Sequence, residues 1–259
     1  MMKLFHLSNI VKISSKTILF FSESFDDMIG YENVIGKLSQ TANFLRNADK
    51  PFFKDIKYHN GIMLTGSSSM GKKSLAEALT KEAGGLIYYT SGADLYANEG
   101  NIRNALFLTA VCKFWVLPKF LIDYLPEKLK DTARSWSIFP KPCIVFINDI
   151  DKIEIDNDKK AGSKFLSKME KLVAINKRMF FIGATEKPGQ LSEGFFRPEK
   201  FSKLITVKLP NKKERKDVIK QELNSGNLDY WADKMQGWSV EEIKNTLNEA
   251  KLRSECYIL

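Results

Sequence analysis

Two unbroken apolar runs, Cys143-Ile144-Val145-Phe146-Ile147 and Met179-Phe180-Phe181-Ile182-Gly183, limit what this 259-residue chain can fold into. Rich in β-branched and aromatic residues and without polar alternation, they are of the kind buried inside parallel sheets covered by helices on both faces. Gly61–Thr65, Leu86–Tyr89 and Ile205–Val207 read as further strands. Helix-period segments fall between them: Glu32–Arg46 with apolar Val34, Ile35, Leu38, Ala42 and Leu45, then Leu75–Leu79, Asn101–Val116 and Phe165–Ile175. Strands alternating with helices predict a doubly wound parallel α/β domain. From Asn211 the pattern is helical to the C-terminus, with turns at Gly226 and Gly237, which predicts a small all-helical domain. The expected organisation is an N-terminal arm (1–22), an α/β domain (23–209) and a helical domain (210–259).

Between the strand at Gly61–Thr65 and the helix at Leu75 lies Gly66-Ser67-Ser68-Ser69-Met70-Gly71-Lys72-Lys73-Ser74. A glycine-bounded loop between strand and helix, ending in lysine, is the context of a phosphate-binding P-loop. Its backbone N–H groups and the helix N-terminus would face phosphate oxygens, and Lys72 would reach the terminal phosphates. The motif calls for Ser or Thr directly after that lysine to hold magnesium, and this chain has Lys73. Ser74, one residue on, is rotated by about 100° around the helix and is no direct substitute.

The formal net charge is +9 and the pI about 9.2, yet only seven basic residues are Arg. Base and phosphate recognition favours Arg forks, so a solvated lysine-rich surface is expected rather than a nucleic-acid face. His6 and His59 are the sole histidines, which leaves no HExxH metal motif and no zinc cluster. Cys112, Cys143 and Cys256 are widely spaced, and buried thiols are the expectation for the first two. No apolar run approaches the roughly 18–20 residues that span a bilayer. Cytoplasmic placement is expected, with an organelle as the alternative because the first 22 residues lack acid. Residues 117–141, with three prolines and two aromatic clusters, carry no motif and read as an insertion.

Five further segments, in order, resemble one family. Phe25-Asp26-Asp27-Met28-Ile29-Gly30 resembles the opening Phe-x-Asp-Val-x-Gly of AAA+ ATPases, which flanks the adenine. Pro142–Asp151 resembles their Walker B strand, Phe-Ile-Asp-Glu-Ile-Asp, with Asn148 and Asp149 at the Asp and Glu positions. Gly183-Ala184-Thr185-Glu186-Lys187-Pro188 resembles the sensor-1 stretch Ala-Ala-Thr-Asn-x-Pro, with Glu186 at the Asn position. Phe196-Arg197-Pro198-Glu199-Lys200-Phe201 resembles the arginine-finger region, and Gly237-Trp238-Ser239-Val240-Glu241-Glu242-Ile243 the lid's Gly-Phe-Ser-Gly-Ala-Asp-Leu. The likeness spans about residues 24–253 and is nearest to the ATPase module of FtsH-type proteases. Neither the protease half nor the membrane anchor of that group is expected here.

This resemblance implies a P-loop AAA+ parallel-sheet domain with a helical lid, binding ATP or ADP through Met28, Ile29, Gly30 and the loop residues Gly66, Ser67, Ser68, Ser69, Met70, Gly71, Lys72, Lys73 and Ser74. It places Asn148, Asp149, Glu186 and Arg197 at catalytic positions, and Asp149 is the one candidate magnesium ligand. The departures cluster there. Asn148 is neutral, Asp149 is one methylene short for a water-activating base, Glu186 is anionic beside the γ-phosphate, and Lys200 replaces an arginine. A hydrolysis-impaired, regulatory or structural subunit of a homo- or hetero-oligomeric ring is therefore expected; a working remodelling ATPase and a nucleic-acid-associated protein are the alternatives. A cation gained at Lys73, where a metal site is lost, leaves the need for Mg2+ open. Tyr96, in an expected loop at 96–100, stands where the family carries a pore aromatic.

Overall fold

The computed structural model describes residues 17–18, 24–48, 58–100, 142–154, 159–175, 178–223 and 227–256. Six strands form one sheet: β1 (Thr17–Ile18), β2 (Gly61–Thr65), β3 (Leu86–Ser91), β4 (Cys143–Asn148), β5 (Met179–Thr185) and β6 (Phe201–Thr206). Their order is β1-β3-β4-β5-β2-β6, with β3, β4, β5, β2 and β6 parallel and β1 antiparallel to β3. Every residue of β2 and β5 is buried, and β4 is buried up to Ile147, as the unbroken apolar runs require.

Helices cover the sheet. Those beside it are α1 (Glu32–Asn47), α2 (Lys72–Ala83), α3 (Gly92–Ala97) and α4 (Lys160–Ile175), while α5 (Lys212–Glu222), α6 (Leu228–Lys234) and α7 (Val240–Cys256) pack on one another as the C-terminal helical part, or lid. Val34, Leu38, Ala42 and Leu45 of α1 recur at helical spacing and are buried against Leu75, Ala78 and Leu79 of α2 in one core. On the other face Phe165 of α4 packs edge-on to Phe181 of β5, and Phe195 stacks between Phe165 and Phe201. Burying one such ring contributes about 1.5–3 kcal/mol by area.

The lid is pinned by polar contacts at its entrance and middle. Asn211 accepts from the Glu214 N–H while its own N–H donates to Glu214 Oε2, a capping box that starts α5. The buried Arg215 guanidinium donates to the carbonyls of Ala232 and Pro210, both at 2.8 Å, tying α6 to the linker. Val218, Ile219, Val240 and Ile243 of the lid belong to the same core cluster as Met28, Val34 and Leu64. Among the described residues no helix is long and apolar enough to cross a membrane.

Three local readings change. Tyr96 lies in the last turn of α3, not in a loop, because Ser91 caps that helix by accepting from the Asp94 N–H. Strand β6 starts at Phe201, four residues before the apolar run; it is an edge strand whose alternating burial includes exposed Leu204. Residues 17–18 of the expected N-terminal arm, where no strand was read, pair with β3 and cover its edge. The helix expected at 101–116, the segment 117–141 and the turn at Gly226 fall outside the described residues.

His59, just before β2, is stacked on Tyr58 and edge-on to Phe180. Burial, helped by Lys203, pulls its pKa down to about 4, so the native ring stays neutral where an unfolded one is protonated. Protons therefore favour the unfolded chain below the ordinary histidine value, and stability falls as pH drops from about 6.5 to about 4. Denaturant titrations across that range should show a smaller pH slope for His59→Phe than for the wild type.

Candidate functional site

The parallel strands end together, so the residues after β2, β4 and β5 meet at one rim of the sheet, where α/β domains bind ligands. After Thr65 the chain turns through left-handed Ser69 (φ 61°) and Gly71 (φ 69°) into α2. A Cβ on Gly71 would sit 2.5 Å from the Tyr31 hydroxyl, so glycine is demanded by space as well as by φ. The unpaired N–H groups of the first turn of α2 make its start an anion site. Lys72 Nζ donates to the carbonyls of Gly66 (2.7 Å) and Ser67 (2.6 Å), closing the loop around its ammonium. Burial lowers the Lys72 pKa, and nearby Glu186, Asp149 and Asp151 oppose that shift.

The opposite wall comes from β4 and β5. Asn148 ends β4 and is exposed, and Asp149 follows in a left-handed conformation (φ 47°). Gly92 at the start of α3 lies so close that a Cβ there would be 2.1 Å from the Asp149 carbonyl oxygen. Lys152 Nζ donates to Asp149 Oδ2 at 2.8 Å, and this bond raises the Lys152 pKa. Asp151 accepts from the Thr185 hydroxyl, whose oxygen in turn accepts the Lys187 N–H at 2.9 Å. Glu241, from the lid helix α7, completes a cavity of about 690 Å³.

Ser68, Ser69, Met70, Gly71, Lys72, Lys73 and Ser74 of the loop line this cavity together with Asn148, Asp149 and Glu186. Gly66 and Ser67 join it through the bonds to Lys72. Lys73 Nζ lies 3.8 Å from Glu77 Oε1 and 5.1 Å over the Tyr89 ring, while the Tyr89 hydroxyl donates to the same carboxylate. Burial and then Glu77 push the Tyr89 phenol above its ordinary value.

Met28, Ile29 and Gly30 lie outside the cavity wall, at the seam between sheet domain and lid. A Cβ on Gly30 would be 3.0 Å from Val240 Cγ2 and 3.5 Å from Val218 Cγ2. Arg197 is exposed after the short helix Glu193–Phe196 and does not reach its own chain's cavity. Lys200 is no finger: it is buried, donates to the Leu166 carbonyl at 2.9 Å and pairs with Glu170. Sequence reasoning passed over Glu77, Asp151, Lys152, Lys187 and Glu241. Glu77 stands one helical turn after Lys73, and Lys152 three residues after Asp149, a spacing that signals the pairs. Glu241 has no local signal, because only the folded lid brings it there.

The class of protein follows from these features: a parallel α/β domain with a glycine-bounded loop closed around Lys72 at the strand ends and a C-terminal helical part beside it. Residues 62–209 match the model of the AAA family, the ATPase family associated with various cellular activities, and the chain belongs to that family. It is 27% identical over 248 residues to the ATP-dependent zinc metalloprotease FtsH of Borreliella burgdorferi, covering 88% of this chain and 35% of that protein. It is 26% identical over 248 residues to the ATP-dependent zinc metalloprotease YME1L1 of Homo sapiens, covering 89% and 29%. The chain thus spans about a third of the length of these relatives. Among solved structures, the FIGL-1 AAA domain in complex with ADP matches 96% of this chain and 80% of its own, at 17% identity and a TM-score of 0.63. That likeness shows the fold.

AAA nucleotide sites typically use Mg2+, and the residues present fit that ion poorly. Lys73 and Asn148 offer neither a hydroxyl nor a carboxylate where the family motif calls for one. Asp149, the candidate ligand, is engaged by Lys152, and among the described residues no three acidic, histidine or cysteine side chains converge to hold a metal. Magnesium prefers near-octahedral oxygen donors at about 2.0–2.1 Å, and ammonium groups in the same cavity oppose it.

The lowered Lys72 pKa has a chemical signature. In competitive acylation followed over pH, Lys72 should gain its neutral, reactive form below the ordinary lysine value, and ATP should protect it.

Proposed function

We propose that the chain is an AAA nucleotide-binding module that holds ATP or ADP at the 66–74 loop, hydrolyses it slowly or not at all, and works through protein contacts as a regulatory or structural ring subunit. The observation that carries this reading is the Asp149–Lys152 ion pair at 2.8 Å. A general base must offer a lone pair to the attacking water within hydrogen-bond reach. Asp149 is one methylene shorter than glutamate, its backbone is left-handed, and one carboxylate oxygen already accepts from an ammonium. A misplacement of about 1 Å costs on the order of 100-fold. Neutral Asn148 gives a metal ion no anionic support, and Glu186 adds negative charge to the pocket that would receive the γ-phosphate.

Binding is supported by the parts left intact: the loop with its two left-handed residues, the start of α2, and Lys72. Exposed Arg197, outside its own cavity, suits a neighbour's nucleotide better than its own. AAA proteins typically assemble as rings, which puts such a residue at a subunit boundary. Proteolysis belongs to the zinc metalloprotease relatives, only about a third of whose length is matched.

Steady-state phosphate release tests the reading, with Lys72→Ala as the blank. Wild-type turnover should sit at the blank, and Lys73→Thr, Asn148→Asp and Asp149→Glu together should raise it about 100-fold or more. Wild-type turnover near ~1 s⁻¹ would instead establish a working ATPase.

A further inference from the structure

We infer that Lys73 supplies to bound phosphates the positive charge that a divalent ion supplies elsewhere, so that this chain binds ATP without magnesium. The inference rests on the nucleotide-binding reading above and adds the source of charge neutralisation.

Lys73 is the second residue of α2, directly beside Lys72, and its side chain lines the cavity while remaining 65% exposed. Its present partner holds it loosely. Glu77 is 3.8 Å away, beyond hydrogen-bond distance, and that carboxylate is shared with the Tyr89 hydroxyl. Exposed i,i+4 ion pairs contribute little, and an ammonium on a flexible four-carbon stem exchanges partners at small cost. An arriving polyphosphate is a stronger acceptor than a shared carboxylate.

The cavity needs that charge. Glu77, Asp149, Asp151, Glu186 and Glu241 all face it, and Lys152 is tied to Asp149. Phosphate bound there with only Lys72 and Lys187 against five carboxylates would be left under-neutralised. A dication would share the space with the ammonium groups of Lys72, Lys73, Lys152 and Lys187, and among the described residues no three acidic, histidine or cysteine side chains converge to hold it. A lysine that swings from Glu77 toward the phosphates resolves both conflicts with one residue. When it leaves, Glu77 keeps the Tyr89 hydroxyl, so its carboxylate is not stranded.

Calorimetric titration of the full chain with ATP, once in excess EDTA and once in excess magnesium chloride, tests this directly. The two Kd values should agree within about threefold. Lys73→Ala should weaken binding in EDTA by about ten- to a hundredfold, the worth of a charge-assisted hydrogen bond, and Lys73→Arg should restore most of it. Lys73→Thr combined with Asn148→Asp should convert binding to magnesium dependence. Because Lys73 is exposed, melting temperatures without nucleotide should not move, which separates lost charge from lost fold. Wild-type binding that requires magnesium, or unchanged EDTA affinity in Lys73→Ala, overturns the inference and leaves the nucleotide reading standing. No binding in either condition overturns both.

Discussion

The structure depends on burying three neighbouring parallel strands on both faces. Because β4, β5 and β2 have no wet face, polar groups in this layer gather where the strands stop. Ile147 pairs with Gly183, and Thr185 pairs with Thr65, so the three strands end within a residue or so of one another. That common edge forces the glycine-rich loop, Asn148, Asp149 and Glu186 into one neighbourhood, although 120 residues separate Gly66 from Glu186. Hydrophobic burial thus assembles the site, and the side chains only decide what it does.

What the site does is governed by opposed charges in a confined space. Five carboxylates and four lysines face one cavity, several already matched: Asp149 with Lys152, Glu77 with Lys73, and Asp151 with the Thr185 hydroxyl. Such matching occupies an acceptor site on each carboxylate, which is the basis of the proposal that water activation is poor here. The anion binding we propose draws on backbone N–H groups and Lys72, which the carboxylate pairs leave in place.

The strands and the loop were legible because their signals are local. Unbroken apolar runs allow few other placements, and glycine–lysine spacing after a strand has a narrow meaning. Strand β6 was read short because Ser202 and Lys203 interrupt its apolar pattern. The helical turn carrying Tyr96 was missed because Gly92 opens it, a residue chosen for closeness to Asp149 rather than for helix propensity. The resemblance set Lys200 at an arginine position of the finger region. Its aliphatic stem instead crosses the core to a carbonyl and Glu170. The seam at Gly30 and Val240, and the arrival of Glu241, are products of lid packing that no window of sequence displays.

Glu241 belongs to α7, while the other carboxylates of the cavity belong to the sheet domain and α2. Tilting the lid outward therefore removes a negative charge from the pocket and leaves the lysines where they are. With the lid raised, an approaching anion would meet a more attractive field at the same loop.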